Sequence, residues 1–182
     1  MINRESFYQK VRMSLFSGKI SPKQFEGIEA LLNEYERLGW QDLRHLAYIF
    51  CTVYHETAKT MQPVTEYGGE AYLKPKKYYP YYGRDLCQTT WLDNYKKVKA
   101  FTGIDVVKNP ELIAELKTSV KVAFEFMSKG YYTGKKLSQF FNDKITDPIL
   151  ARSIINGRKK GEKYPDKAEL IAHYYALFLA AL

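Results

Sequence analysis

The chain has 182 residues, of which 46% are hydrophobic and 26% charged, and it carries a net charge of +8 with a pI near 9.3. This composition is typical of one globular domain with its own core, and it excludes a disordered, collagenous or coiled-coil chain. No apolar run approaches the roughly 20 residues of a membrane span, and the positive charge favours anionic partners such as nucleic acid, lipid headgroups or an acidic cell wall.

Two helices are predicted in the first third of the chain. Segment 21–24 has an N-cap serine, a proline at the first helical position and a glutamine at the third. The apolar face of this helix, which ends near Gly39, consists of Phe25, Ile28, Leu31, Leu32 and Tyr35. Asp42 is predicted to cap the next helix, whose core stripe consists of Leu43, Leu46, Ala47, Phe50, Val53 and Tyr54. This stripe places His55 and Glu56 at the C-terminal end of that helix.

Between residues 58 and 88 the apolar periodicity disappears, which predicts a long irregular loop, with a short β-hairpin inside it as the alternative. Helical patterns resume over 90–101, over 109–130, over 147–157 and from Pro165 to the C-terminus. No repeat or linker separates these segments. We therefore predict a mainly α fold, formed by residues 1–182 as a single helical domain with a long irregular active-site loop.

Cysteine and histidine usage provides no disulfide framework and no zinc site. Cys51 and Cys87 are too few for a framework; Cys51 fits a buried thiol, and Cys87 lies beside the irregular loop, where a reactive role is the alternative. His55 and Glu56 begin like the helix of a zinc protease, but the residue four positions after His55 is Lys59. The second ligand of a zinc site is therefore missing.

Three glutamates are candidates for acid–base chemistry on a glycosidic bond, which needs a protonated and an ionised carboxyl on either side of it. Glu56 ends an apolar helix, and both an apolar setting and a helix C-terminus favour its protonated form. Glu66 and Glu70 lie in the loop, where a solvated carboxylate could orient water. The alternative is that all three are surface charges, which composition alone favours.

Residues 77–84 form a segment rich in tyrosine, with lysine and arginine at its two ends. Aromatic faces and hydroxyls of this kind suit sugar rings. They would equally suit single-stranded nucleic acid, with the basic residues on the phosphates, or a loop packed by its own aromatic rings. The spacing of the segment does not separate these three interpretations.

Five groups of residues, taken together and in order, resemble the family 19 glycoside hydrolases, which include chitinases and, more closely, the lysozyme-like endolysins of bacteriophages. The matching segments are His55-Glu56-Thr57-Ala58; Thr60-Met61-Gln62-Pro63-Val64 with Glu66-Tyr67-Gly68; Tyr81-Tyr82-Gly83-Arg84 with Gln88, Thr90-Trp91 and Asn94-Tyr95; Asn109-Pro110-Glu111-Leu112; and Ile154-Ile155-Asn156-Gly157. Each segment alone is a weak signal, but five in the order of the family are specific. The resemblance extends from about Ser21 to the C-terminus and implies a lysozyme-like helical fold.

The resemblance also implies roles for individual residues. Glu56 would be the general acid, Glu66 the general base with Glu70 in reserve, and Thr90 the hydroxyl that holds the attacking water. The sugar-binding positions would be His55, Tyr67, Tyr82, Arg84, Gln88, Asn94 and Asn156. Enzymes of this family invert the anomeric centre in one displacement, without a metal or cofactor.

By the same resemblance the chain is expected to be a peptidoglycan hydrolase of the endolysin type, cutting between N-acetylmuramic acid and N-acetylglucosamine as a monomer. Its partner would be the glycan strand, with neither nucleic acid nor stable membrane insertion involved. The N-terminus lacks the apolar stretch of a signal peptide. We therefore expect synthesis in the host bacterial cytoplasm and action in the periplasm and cell wall, once a holin or similar protein has permeabilised the membrane.

Two positions depart from the family pattern. Asp85 stands where the family usually has the second glycine of Gly-Arg-Gly, and Thr89 stands where leucine is common. A side chain at the glycine position is expected to alter the loop backbone or to close part of the cleft. Two other functions stay open, namely chitin hydrolysis and non-catalytic binding of an anionic polymer.

Overall fold

The computed structural model describes residues 2–157 and 162–182 as helices joined by irregular segments. The α-helices of this part of the chain are α1 (Arg4–Ser14), α2 (Pro22–Arg37), α3 (Leu43–Glu56), α4 (Gly69–Leu73), α5 (Leu92–Thr102), α6 (Leu116–Lys129) and α7 (Ala168–Ala181). Short 3-10 helices cover Pro110–Ala114, Leu137–Gln139 and Leu150–Ile154. Within the described residues, strand pairing is limited to an isolated bridge between Phe141 and Thr146, and no helix is long and apolar enough to cross a membrane.

Helix α2 begins with the capping box that its sequence predicts. The Ser21 hydroxyl accepts a hydrogen bond from Gln24 N at 3.2 Å, and Gln24 Oε1 accepts one from Ser21 N at 2.8 Å. These bonds satisfy backbone groups that a helix start leaves free. The predicted apolar face is buried except for Phe25, which is 49% exposed and stacks on Tyr8 of α1.

Helix α3 lies at the centre of the main core. Asp42 caps it by accepting a hydrogen bond from Arg44 N at 3.0 Å, and residues 46–54 are all buried. The helix packs against α2, α6 and α7, with Phe50 stacked on Phe178 at 5.1 Å between ring centroids. Because a helix that is buried on every side is held rigidly by its neighbours, its last residue, Glu56, has a well-defined position.

The single helix predicted over 109–130 is in fact two elements. A 3-10 helix follows Asn109, the backbone becomes extended at Glu115 (φ −62°, ψ 128°), and α6 begins only after it. The break allows Ile113 to pack into a second apolar cluster with α5 and one face of α6, while α6 also packs against α2. The helix predicted over 147–157 is likewise only a short 3-10 helix, over Leu150–Ile154.

Two helix positions differ from the sequence prediction at the ends of the chain. The patterns did not predict α1, whose fully buried face consists of only Phe7 and Val11. Helix α7 begins at Ala168, three residues after Pro165. It then packs along both α1 and α3, so the two ends of the chain close the main core together.

The segment between α3 and α5 is irregular apart from α4, as predicted, and no hairpin forms in it. Its backbone has positive φ angles at five non-glycine residues, which are Ala58, Lys59, Met61, Gln88 and Trp91. Helix α2 lets the segment pass very close at Gly27, where an added Cβ would lie 1.8 Å from Met61 O. The turns fold the segment back so that residues 87–91 lie beside the end of α3.

Candidate active site

A cleft of about 250 Å³ opens at the C-terminal end of α3. Its lining residues are Glu56, Cys87, Gln88, Thr90, Trp91, Asn94, Tyr132, Ile155 and Asn156. Five of these, namely Glu56, Gln88, Thr90, Asn94 and Asn156, are residues that the sequence predicted for the site. The fold therefore brings together side chains from α3, the irregular loop, α5 and the segment after the 3-10 helix Leu150–Ile154.

Glu56 is paired with an arginine that the sequence patterns did not identify. Arg152 Nη1 donates to Glu56 Oε1 at 2.6 Å, and the arginine is 3% exposed. Its Nε donates to Asp166 O at 3.3 Å, and its Nη2 lies 2.7 Å from the amide oxygen of Asn156 in the orientation that matches donors to acceptors. The expected apolar setting of Glu56 is thus replaced by an ion pair with a buried arginine.

The loop residues of the cleft are fixed by hydrogen bonds to main-chain carbonyls. Thr90 Oγ1 donates to Gln88 O at 2.9 Å, and Asn94 Nδ2 donates to Thr90 O at 2.9 Å. Gln88 Nε2 donates to Val64 O and to Asp85 O. Because Thr90 donates its one hydroxyl hydrogen to the Gln88 carbonyl, its oxygen can act only as an acceptor for a water or a sugar hydroxyl.

Glu66 does not line the cleft but lies in the same irregular loop, beside Gly83. Its carboxylate accepts from Tyr78 Oη at 2.7 Å and from Gly83 N at 3.4 Å, and its own N donates to Gly83 O at 2.8 Å. The bond to Glu66, followed by burial, raises the pKa of Tyr78 to about 12, so the phenol stays protonated and donating. Glu70 is exposed and forms an ion pair with Lys74 at 2.9 Å.

Arg84 holds the loop together instead of facing the cleft. It is 6% exposed, donates from Nη1 to Pro80 O at 2.8 Å, and pairs with Glu111 at 3.3 Å. Its guanidinium also lies over the Tyr82 ring at 3.4 Å. Arg84 and Tyr82, which the sequence predicted as sugar-binding residues, thus contact each other within the loop and lie outside the cleft lining.

The two remaining predicted positions differ in their surroundings. His55 is half-buried next to Glu56, and loss of hydration lowers its pKa, so the imidazole is neutral at pH 7. Tyr67 is 77% exposed and lies outside the cleft lining. Among the described residues, no group of three His, Cys, Asp or Glu side chains is arranged to hold a metal ion.

Sequence reasoning missed two residues of the site, Tyr132 in the cleft lining and Arg152 beside Glu56. Trp91 and Ile155 belong to the matching segments but had no assigned role, and Cys87 was placed only beside the loop. Arg152 had a detectable signal, because it is a lone charge in the apolar run Leu150 to Ile155 and lies one helical turn before Asn156. Burial raises the pKa of the Cys87 thiol, which makes a nucleophilic role unsuitable.

Larger clefts occur elsewhere, including one of about 720 Å³ beside Trp40 and Leu182. Size alone would favour that cleft. The carboxylate lining it belongs to Glu36, whose exposed ion pair with Arg4 lies on the surface of the protein. The smaller cleft combines a carboxylate, a buried arginine and several fixed amides and hydroxyls, so its chemistry makes it the candidate site.

Comparison with solved structures identifies the fold. Chitinase C from Streptomyces griseus has a TM-score of 0.67 at 17% identity over 99% of this chain and 76% of its own, and a glutamate-to-glutamine mutant of chitinase C has 0.68 at 19% over 99% and 91%. A bacterial family 19 chitinase has 0.59 at 20% over 99% and 94%. No family model and no curated protein sequence matches the chain. The prediction of a mainly α fold is confirmed: the chain has the fold of the family 19 chitinases.

Proposed function

We propose that the chain is a glycoside hydrolase that cleaves the β-1,4 bonds of bacterial peptidoglycan, with Glu56 as its general acid. The observation that carries the proposal is the cleft at the end of α3, in which Glu56 is held by the buried Arg152 among Gln88, Thr90 and Asn156. Amides and hydroxyls in fixed positions are what a site for a polyhydroxylated ligand requires. The shared fold of the family 19 chitinases supports the same reaction class.

Arg152 defines how Glu56 would act. A general acid must carry a proton when the bond breaks, whereas an arginine at 2.6 Å stabilises the carboxylate. Glu56 would therefore take its proton from solvent as the glycan enters, before the filled cleft excludes water. As the proton passes to the leaving oxygen, Arg152 would stabilise the carboxylate that forms, and this interaction grows towards the transition state.

Glu66 is our candidate for the general base. Its carboxylate is held in place by hydrogen bonds from Tyr78 Oη and Gly83 N, as the positioning of a base requires. The same stretch of loop bonds to the cleft through Gln88 Nε2 and Val64 O. Water between Glu66 and the acceptor oxygen of Thr90 would attack opposite Glu56, giving inversion, for which carboxyls roughly 6.5–9.5 Å apart are needed.

The choice of peptidoglycan rests on the endolysin-like motifs and on the charge of +8, which would attract the chain to an acidic cell wall. Chitin is the second candidate, because the solved structures that share the fold are chitinases. We further propose that the protein acts as a monomer on glycan strands, without nucleic acid or membrane insertion. It would reach the periplasm from the host bacterial cytoplasm through a membrane lesion made by a holin or a similar protein.

The proposal is tested by adding purified protein to isolated murein and to colloidal chitin and following the release of reducing ends. Glu56→Gln should lower the rate by about 10²–10⁴-fold, the range of general acid catalysis. Glu66→Gln should do the same, with Glu70→Gln as the matched control in the same loop. Intact murein and chitin after wild-type treatment would refute the proposal. Equal losses in the Glu66 and Glu70 variants would remove Glu66 as the base, and a β anomer as first product would exclude inversion.

A further inference from the structure

Asp85, the residue that departs from the family glycine, is a fully buried carboxyl beneath the cleft loop. Its Oδ1 accepts from Cys87 N at 3.1 Å and from Thr89 N at 2.8 Å, and its Oδ2 accepts from Thr89 Oγ1 at 2.6 Å. No ion pair joins Asp85 to a basic group of the described chain. Burial raises the pKa of Asp85, while the three donors oppose that rise by stabilising its charge.

The two residues that depart from the family pattern, Asp85 and Thr89, therefore contact each other, and Thr89 also contacts Tyr132. Thr89 Oγ1 lies 3.0 Å from Tyr132 Oη as well as 2.6 Å from Asp85. A threonine hydroxyl has a single hydrogen, and an ionised carboxylate can only accept. The three donors favour the ionised form of Asp85, and with that charge in place Thr89 donates to Asp85 and Tyr132 donates to Thr89. The charge at Asp85 thus determines which group donates in each hydrogen bond of this series.

Tyr132, the last residue of this hydrogen-bond series, lies at the wall of the cleft. Tyr132 lines the cleft together with Cys87, whose thiol lies beside the Tyr132 hydroxyl, and with Glu56. With its hydrogen on Thr89, the Tyr132 oxygen can only accept, either from the Cys87 thiol or from a ligand in the cleft. A ligand group beside it would have to be an N–H or O–H donor.

We infer that Asp85 is a positioning residue that, acting through Thr89, fixes Tyr132 as a hydrogen-bond acceptor at the wall of the cleft. The inference rests on the proposed function only where it concerns the ligand, which would offer an amide N–H or a hydroxyl of an amino sugar. Asp85 also braces the loop itself, because its carbonyl accepts from Gln88 Nε2 at 3.2 Å. The series of hydrogen bonds from Asp85 to Tyr132 would thus select ligands that offer a donor. The alternative, which the test must exclude, is that Asp85 only stabilises the loop.

Asp85→Asn separates the two, because asparagine has the same size and can still accept from both backbone N–H groups. Its Nδ2 must donate to Thr89, which turns the Thr89 hydrogen towards Tyr132 and the Tyr132 hydrogen away from Thr89. Proton NMR reads this without any substrate. We expect a slowly exchanging Tyr132 hydroxyl proton with a contact to the Thr89 methyl group in the wild type, and loss of that contact in Asp85→Asn. The same spectrum in both proteins would overturn the inference.

Ligand binding provides the second readout. We would measure the affinity for a tetramer of N-acetylglucosamine, and the KM and kcat for murein. Asp85→Asn and Tyr132→Phe should each weaken binding about tenfold, and the double variant should be no weaker than Tyr132→Phe alone, since Asp85 acts through Tyr132. Thr89→Val should weaken binding about as much as Tyr132→Phe, and Thr89→Ser should recover most of the affinity. If Asp85 only braces the loop, the losses of the double variant would multiply. An inactive wild type would instead refute the proposed function, leaving the NMR result to decide the inference.

Discussion

Replacing Arg152 by methionine is expected to destabilise the protein as well as to inactivate it. The arginine is 3% exposed and donates to Glu56, to Asp166 O and to the Asn156 amide. Methionine preserves much of the side-chain volume but provides no donor. Glu56, 16% exposed, would then be a carboxylate without its partner at the edge of the core.

The magnitude follows from the burial of the pair. Breaking a buried ion pair by removing one partner costs about 3–5 kcal/mol. Because Glu56 borders an open cleft, where water can solvate it in part, we expect the lower end, about 3 kcal/mol. At a urea slope of about 2 kcal/mol/M, the unfolding midpoint should fall by about 1.5 M.

The assay is urea unfolding followed by circular dichroism, with Lys23→Met as the control. Lys23 donates to Glu26 at 2.8 Å, close to the distance of the Arg152 pair, but the two side chains are 75% and 52% exposed. The control should unfold at the wild-type midpoint, because exposed pairs contribute little. Glu56→Gln should also reduce the cost of Arg152→Met. Equal midpoints for the two methionine variants would refute the reasoning.

Three further predictions follow from other contacts. Gly27→Ala should lower the free energy of unfolding by about 3 kcal/mol in urea unfolding, because its Cβ would meet the Met61 carbonyl at 1.8 Å; wild-type stability would contradict this packing. The bond to Glu66 and burial raise the pKa of Tyr78 to about 12. The hydrogen bond from Tyr78 to Glu66 should therefore contribute fully to the free energy of unfolding below about pH 10, and this contribution should be lost towards pH 12. In Tyr78→Phe the free energy of unfolding should no longer show that decrease with pH. Neither cysteine thiol, both buried, should react with a thiol reagent before unfolding; fast labelling would show an open core.

Local patterns predicted those parts of the fold that local contacts determine. The capping residues Ser21 and Asp42 and the apolar stripe of α3 are short-range features, and they located α2, α3 and the position of Glu56. The break at Glu115 was not predictable in this way. It arises because Ile113 packs into a different cluster from the one that α6 shares with α2, which is a tertiary effect.

The site residues likewise fall into those that local sequence predicts and those that only tertiary contacts bring together. Gln88, Thr90 and Asn94 are near one another in sequence and in space, so their motif was sufficient to group them. Arg152 lies 96 residues after Glu56, and no periodicity connects the two. The network of Asp85 and Thr89 was visible only as two departures from a family pattern, because a glycine position gives no indication of what a side chain there would contact.

The central claim is that Glu56 donates a proton to the leaving oxygen of a glycan. It is tested most directly by comparing wild type and Glu56→Gln on murein and on a dinitrophenyl glycoside of an N-acetylglucosamine oligomer, whose leaving group needs no proton. The account predicts a loss of about 10²–10⁴-fold on murein and a far smaller loss on the activated substrate. Equal losses on both substrates, or cleavage of murein by Glu56→Gln at the wild-type rate, would contradict it.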